Sequence, residues 1–185
     1  MNIFSPAQLQ VLNLLNQYHE QEQENAHSRP LLVEFAEQHP DCCERTLTPG
    51  HFTGSCWLVS KDGQRVLLTH HKKLERWLQL GGHADGDSDL AQVALREAEE
   101  ESGLTDLVVE PQIFDLERHA IPARGSDPEH YHHDVRFVVQ ATGSEEFVVS
   151  DESHAPAWRV IEELVDDADA EESIRRMARK WLRRS

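Results

Sequence analysis

The stretch GGHADGDSDLAQVALREAEEESGL, residues 81–104, decides how the chain is read. Two glycines, a run rich in Asp and Gly, and then a segment from Asp89 to Ser102 closed by Gly103 spell a turn, a helix and its stop, with Ser88 as the expected cap. At about 100° per residue, Leu90, Val93 and Ala94 share one face of that helix. Glu97, Glu100 and Glu101 project onward onto the same side, whereas Glu99 points away. A solvated acidic cluster belongs opposite the apolar stripe. Here three carboxylates extend it, at spacings where like charges repel and near the helix end where the macrodipole disfavours anions. Two readings stand: an exposed acidic helix end, or a site where a divalent cation bound by oxygen ligands, magnesium above all, offsets the repulsion. Arg96 lies on a neighbouring face, placed to orient one carboxylate rather than to neutralise three.

Outward from this segment the texture alternates. Phe52 to Ser60 and Arg65 to Thr69 are short apolar runs joined by Lys61, Asp62 and Gly63, which spells a hairpin. After the helix, strands are expected at Leu107 to Val109, Ile113 to His119, Tyr131 to Gln140 and Phe147 to Val149, with Pro122 to Pro128 as a loop. Trp158 to Ile161 reads as a last strand, Glu162 to Val165 as a turn of helix, and Ala170 to Arg184 as a closing amphipathic helix. Ahead of all this, Pro6 to Glu24, capped by Ser5, and the pattern from Pro30 to Ala36 are helical. The expected class is therefore α/β, with helices layered on a mixed sheet. Residues 1–44 form an amino-terminal helical extension and 45–185 the main domain; the extension either packs on that domain or serves a homodimer.

Composition limits the partners. Lys plus Arg number 18 against 34 Asp plus Glu, a formal charge of −16, which argues against coating a long nucleic acid. No apolar run approaches the roughly 20 residues of a membrane span, and the amino terminus lacks a basic-then-apolar signal pattern. Cys42, Cys43 and Cys56 form neither a paired framework nor a zinc spacing, so a reducing, cytoplasmic setting is expected. The six basic residues from Arg175 to Arg184 read as a solvated helix face.

Arg96 to Leu104 resembles the signature box of the Nudix hydrolases: arginine and glutamate, a small residue, any residue, two glutamates, any residue, glycine and an apolar residue, all matched. In the first half, Gly82 and Arg96 are in register, but the glutamate position holds Ser88, with Asp87 and Asp89 as nearby substitutes. The resemblance implies an α/β/α sandwich and magnesium-dependent hydrolysis, with manganese as the alternative ion, of a nucleoside diphosphate linked to another group. By position in the box it implies Glu97, Glu100, Glu101 and the Gly82 carbonyl as metal ligands, Arg96 as the orienting residue, and Glu97 and Glu100 among the catalytic groups. A weakened domain that only binds a nucleotide or nucleotide sugar is the alternative, with an interaction protein using the terminal helices as another. Outside the box, Glu152 is a candidate later-loop ligand or base, and Lys72, Lys73, Arg76 and Asp134 are candidates for substrate contact. His130, His132 and His133 invite a zinc reading, but along a strand His133 faces away from the other two. Trp57, Trp77 and Trp158 are read as core rather than as base-stacking platforms.

Overall fold

A ten-residue strand, β1 (Gly50–Val59), is buried along its whole length and sets the register of the others. The computed structural model describes residues 4–18, 27–71, 76–147 and 156–184. β1 pairs antiparallel with β2 (Arg65–His71) near its end and with β4 (Leu80–His83) near its start. On its other side it runs parallel to β6 (His130–Ala141), which makes the sheet mixed. β2 carries β3 (Arg76–Leu78) and β7 (Pro156–Val160), and β5 (Leu107–Ile121) closes the far edge against β6. The β1–β2 turn forms where the Asp-Gly pair places it: Asp62 accepts hydrogen bonds from the Ser60 hydroxyl and the Gln64 amide, and Gly63 takes φ 70°.

Successive β1 side chains feed two cores, as the strand period requires. Phe52, Cys56 and Leu58 meet α1 (Pro6–Gln17), α2 (Ser28–Gln38) and α3 (Leu90–Ser102). Trp57 and Val59 meet α4 (Ile161–Leu164) and α5 (Glu172–Leu182). The result is the expected α/β/α sandwich. α1 is fixed by a capping box between Ser5 and Gln8, and the Gln8 side-chain amide donates to the Ala36 carbonyl of α2 at 2.8 Å. Val11, Leu15, Leu32 and Phe35 belong to the same core as Phe52, Leu90 and Val93, so the extension packs on the domain. Among the described residues no helix is long and apolar enough to cross a membrane, and all three cysteines are free and buried.

The structure departs from the sequence reading at several points: α1 stops at Gln17, with Tyr18 extended, where the helix was expected to run to Glu24, and β3 and β4 are strands the sequence reading did not place. β5 is one strand rather than two, because register shifts between Val109 and Asp115 absorb Pro111 without breaking the pairing. Phe147 lies outside any strand, and the following two residues lie outside those described. The basic run of α5 is only partly solvated: Arg175 and Arg179 pair with Glu172 and Arg184 with Glu110 at the surface, while Arg176, mostly covered, turns against β5.

Candidate active site

Helix α3 lies unusually close to the sheet because two glycines leave room for it. A Cβ at Gly54 would come within 2.9 Å of both the Leu90 carbonyl oxygen and Val93 Cγ1. A Cβ at Gly82 would sit 2.5 Å from Glu97 Oε1, so the Glu97 carboxylate occupies the space a side chain there would take. The helix starts at Asp89, whose carboxylate accepts from the Gln92 amide; Ser88, the expected cap, is displaced outward and donates to Gln10 Oε1 of α1 at 2.9 Å. It ends as expected on Gly103, in the left-handed region at φ 67°.

Glu97 and Glu101, one turn apart, are the two half-buried carboxylates of α3, while Glu99 and Glu100 are exposed. The face expected to hold three glutamates therefore holds two, with Glu100 on its flank, about 60° around the helix from Glu97. Burial, and then the Glu97 charge, push the Glu101 carboxyl up to about 7, with a hydrogen bond from the Gly81 backbone opposing. Burial and Glu100 raise Glu97 as well. Glu101 Oε2 is buried without a hydrogen-bond partner. An unsatisfied carboxylate oxygen beside a second carboxylate is a donor set for a hard divalent cation, so these residues fit magnesium or manganese.

The remaining expected residues divide. Arg96 Nη1 lies 3.6 Å from Asp87 Oδ2, so an acid next to Ser88 faces the box arginine. Arg76 opens β3 and pairs with Glu171. Lys72, Lys73 and Glu152 lie outside the described residues. Asp134 is buried, 1% exposed, and accepts from Thr53 and Ser55 at 2.8 and 2.7 Å and from Arg136 Nε at 2.7 Å. Burial alone would raise its carboxyl; Arg136 and Ser55 hold it below the usual value. Trp57 is fully buried, and Trp158 donates its indole N–H to the Glu145 carbonyl.

Asp134 belongs to a buried polar strip that the sequence reading missed. Arg136 also reaches Asp115 at 3.0 Å and Glu117 at 2.8 Å, and Arg176 of α5 closes the network on the same two acids at 2.7 and 3.0 Å. The signal was an alternation: Thr53 and Ser55, Asp134 and Arg136, and Asp115 and Glu117 each stand two apart on paired strands. At the open end of the strip, His51, His83, His119, His130 and His132 gather their rings within 4.9–5.4 Å of a neighbour. All but His119 border a cavity of about 830 Å³ lined also by Arg45, Arg124 and Pro128. His133 turns to the other face, as the strand period requires, and stacks on Phe35 at 3.9 Å.

Burial keeps His51, His132 and His133 neutral. It lowers His51 to about 4, aided by His83 and His130, and His132 to about 3, aided by His51 and His119. Burial and Arg118 bring His133 to about 3. Groups with depressed basicity bind protons on unfolding, so they favour the fold more as pH rises toward 6.5, their ordinary value. Glu101 works the other way between its ordinary 4.5 and about 7, because its folded form holds a proton the unfolded chain releases. Three imidazoles outweigh one carboxyl, at roughly 1–3 kcal/mol per pH unit net. The urea midpoint of the metal-free protein is expected to climb up to pH 6.5 and then level or dip slightly. A midpoint flat across the acid limb would show that the imidazoles are not held neutral.

The family model described as the NUDIX domain matches residues 51–181. No curated protein sequence matches the chain. Among solved structures, a hydrolase of the NUDIX family from Clostridium perfringens is 26% identical, over 72% of this chain and 96% of its own, with a TM-score of 0.51. An Ap4A hydrolase from C. elegans, in a binary complex, is 20% identical over 71% and 95%, with a TM-score of 0.55. A MutT protein from Methanosarcina mazei Go1 is 17% identical over 74% and 96%, also at 0.55. The last two likenesses are of fold.

Proposed function

Because the chain belongs to the Nudix family, we propose that it is a magnesium-dependent pyrophosphohydrolase acting on a nucleoside diphosphate linked to another group. The observation that carries this is the Glu97–Glu101 pair: two raised carboxylates over Gly82, one with an oxygen buried and unpartnered. A purely structural helix has no use for that cost. Glu97, Glu101, the flanking Glu100 and the Gly82 carbonyl are the residues proposed to hold the ion. When bound, magnesium supplies positive charge that offsets adjacent phosphates and lowers the pKa of a water. The chain's own contributions are placement and charge. Gly82, lacking a side chain, lets Glu97 lie against the strand, and Arg96, facing Asp87, steadies the helix turn that carries it. A retained proton on Glu101 must leave before it can serve as a ligand, so ion affinity is expected to rise with pH through about 7.

Arg76 is proposed to meet substrate phosphate only by exchanging its Glu171 partner, and Lys72, Lys73 and Glu152 stay proposals of the sequence. Asp134 is proposed as an organiser of the site wall rather than a substrate contact, since its oxygens are already taken. Three free cysteines accord with a cytoplasmic setting, which we also propose. The test is a panel of nucleotide sugars, dinucleotides, dinucleoside polyphosphates and nucleoside triphosphates, assayed with magnesium and with manganese. Dinucleoside polyphosphates are included because an Ap4A hydrolase shares the fold. Release of a nucleoside monophosphate from at least one diphosphate-linked compound is expected; tight binding of the panel without turnover would mark a binding module instead.

The Ser88 departure yields a sharper expectation. Ser88 is half-buried and its hydroxyl bonds only to Gln10, so Ser88→Glu should fold normally and maintain or raise hydrolysis by adding a carboxylate near Arg96. Asp87→Asn should lower kcat, because Asp87 is the acid now facing that arginine. Asp89→Asn keeps the cap's acceptor and removes its charge from the helix amino end, a change of about 0.3–1 kcal/mol seen in thermal melts. A folded Ser88→Glu protein without hydrolysis would show a site rebuilt around serine.

A further inference from the structure

The structure assigns a second cation site, distinct from the α3 carboxylates, to His51, His83 and His132, with a zinc-class divalent ion as its ligand and an open coordination position toward the cavity. Three strands assemble it: His51 on β1 stands in register with His132 on β6, and His83 on β4 pairs with Thr53, the next residue on the His51 face. One ligand nitrogen from each ring lies within 4.8 Å of the other two. Two nitrogens on one tetrahedral zinc, at about 2.05 Å each, stand about 3.3 Å apart, so the rings would close on the ion by up to about 1.5 Å.

Two further observations point to a ligand. His51 is 2% exposed and neither ring nitrogen has a hydrogen-bond partner at full geometry, the Leu47 backbone approaching without completing one. An imidazole so placed leaves its polar atoms unsatisfied unless something from outside the chain meets them. At the rim, His130 Nδ1 lies 2.9 Å from the Pro128 carbonyl, which can only accept. In the neutral ring the lone pair therefore rests on Nε2, which accepts a hydrogen bond from His132 Nε2–H at 3.3 Å and leaves the His132 lone pair on Nδ1. A hydrogen bond that fixes the tautomer through one ring nitrogen and frees the other is the usual support of a metal-binding histidine, and here the supported ligand is His132.

Donor chemistry separates the two sites. Imidazole nitrogens suit zinc and its transition-metal neighbours, whereas carboxylate oxygens suit magnesium. The inference goes beyond the proposed reaction, since zinc would occupy this site whether or not the carboxylates support turnover. The cavity beyond the open position carries Arg45 and Arg124, so an anionic oxygen is the group chemically suited to complete the coordination.

The test uses the full-length protein stripped with a chelator and then titrated with zinc chloride in millimolar magnesium, followed by calorimetry. One zinc per chain is expected, retained despite the magnesium, and weakened roughly tenfold or more in His83→Gln and in His132→Gln, both checked for a normal melting transition. Glu100→Gln should leave zinc affinity unchanged. Cobalt substitution of the wild type needs no variant and should give the visible absorption of a four-coordinate, nitrogen-rich site. Zinc binding that magnesium abolishes, that survives in both histidine variants, or that disappears with Glu100→Gln would overturn the assignment, as would a purely six-coordinate cobalt spectrum.

Discussion

Glu101→Gln should abolish metal-dependent hydrolysis and at the same time stabilise the metal-free protein. The carboxyl is raised from 4.5 to about 7 by burial and by Glu97, so keeping it ionised at higher pH costs folding free energy. Removing the charge recovers up to about 3 kcal/mol above neutral pH, from the size of that shift. The same change removes the buried oxygen proposed to hold the ion, and turnover should fall by orders of magnitude. Glu100→Gln should cost turnover with little change in stability, because Glu100 is exposed. Glu99→Gln, exposed and opposite, should change neither. Urea melts of the chelated proteins and steady-state kinetics on one confirmed substrate check the set. An equal loss of activity in the Glu99 variant would show that the helix faces are wrongly assigned, and a destabilised Glu101 variant would show that the carboxylate serves the fold.

Arg136→Met should produce the largest loss of stability. Its guanidinium is 3% exposed and holds Asp134, Asp115 and Glu117 at 2.7–3.0 Å. Removing one member of a buried charge network leaves the others without compensation, a loss of about 3–5 kcal/mol. Arg176 still reaches Asp115 and Glu117, but Asp134 keeps only two hydroxyl donors and a long contact of 3.4 Å from Gln79. Adding Asp134→Asn to Arg136→Met should therefore recover part of the loss. By contrast Arg184→Ala, which breaks an exposed pair with Glu110, should cost about 1 kcal/mol or less. A double-mutant cycle read by urea denaturation measures the coupling; additive losses would mean that Arg136 and Asp134 do not depend on each other.

What the sequence revealed and what it hid follow from the range of each interaction. The α3 helix, its Gly103 stop and the β1–β2 turn were readable because their determinants lie within a few residues of one another. The cap was misplaced by one residue, since Ser88 and Asp89 are equally good cap types and only the Gln10 contact from α1 draws Ser88 away. Glu97 and Glu101 were found by helical spacing, but the close packing of Glu97 depends on Gly82, brought alongside by strand pairing. The polar strip was hidden for a different reason. Arg136 reads locally as one charge in a strand, its partners include residues 115 and 117, and residue 176 closes the network on those same acids. The histidine cluster was the least legible: His130, His132 and His133 drew attention by adjacency, while the set that converges joins residues 51, 83 and 132.

A magnesium titration of the melting temperature, run in parallel on the wild type and on Glu101→Gln, tests the central claim that the α3 carboxylates form a cation site. An ion bound only by the native state stabilises by about 2.7 kcal/mol at a hundredfold excess over its Kd. For a chain of this size that is a rise of roughly 5–10 °C. The account predicts such a rise in the wild type at millimolar magnesium and none in Glu101→Gln. An unchanged melting temperature in the wild type, or an equal rise in both proteins, would contradict it.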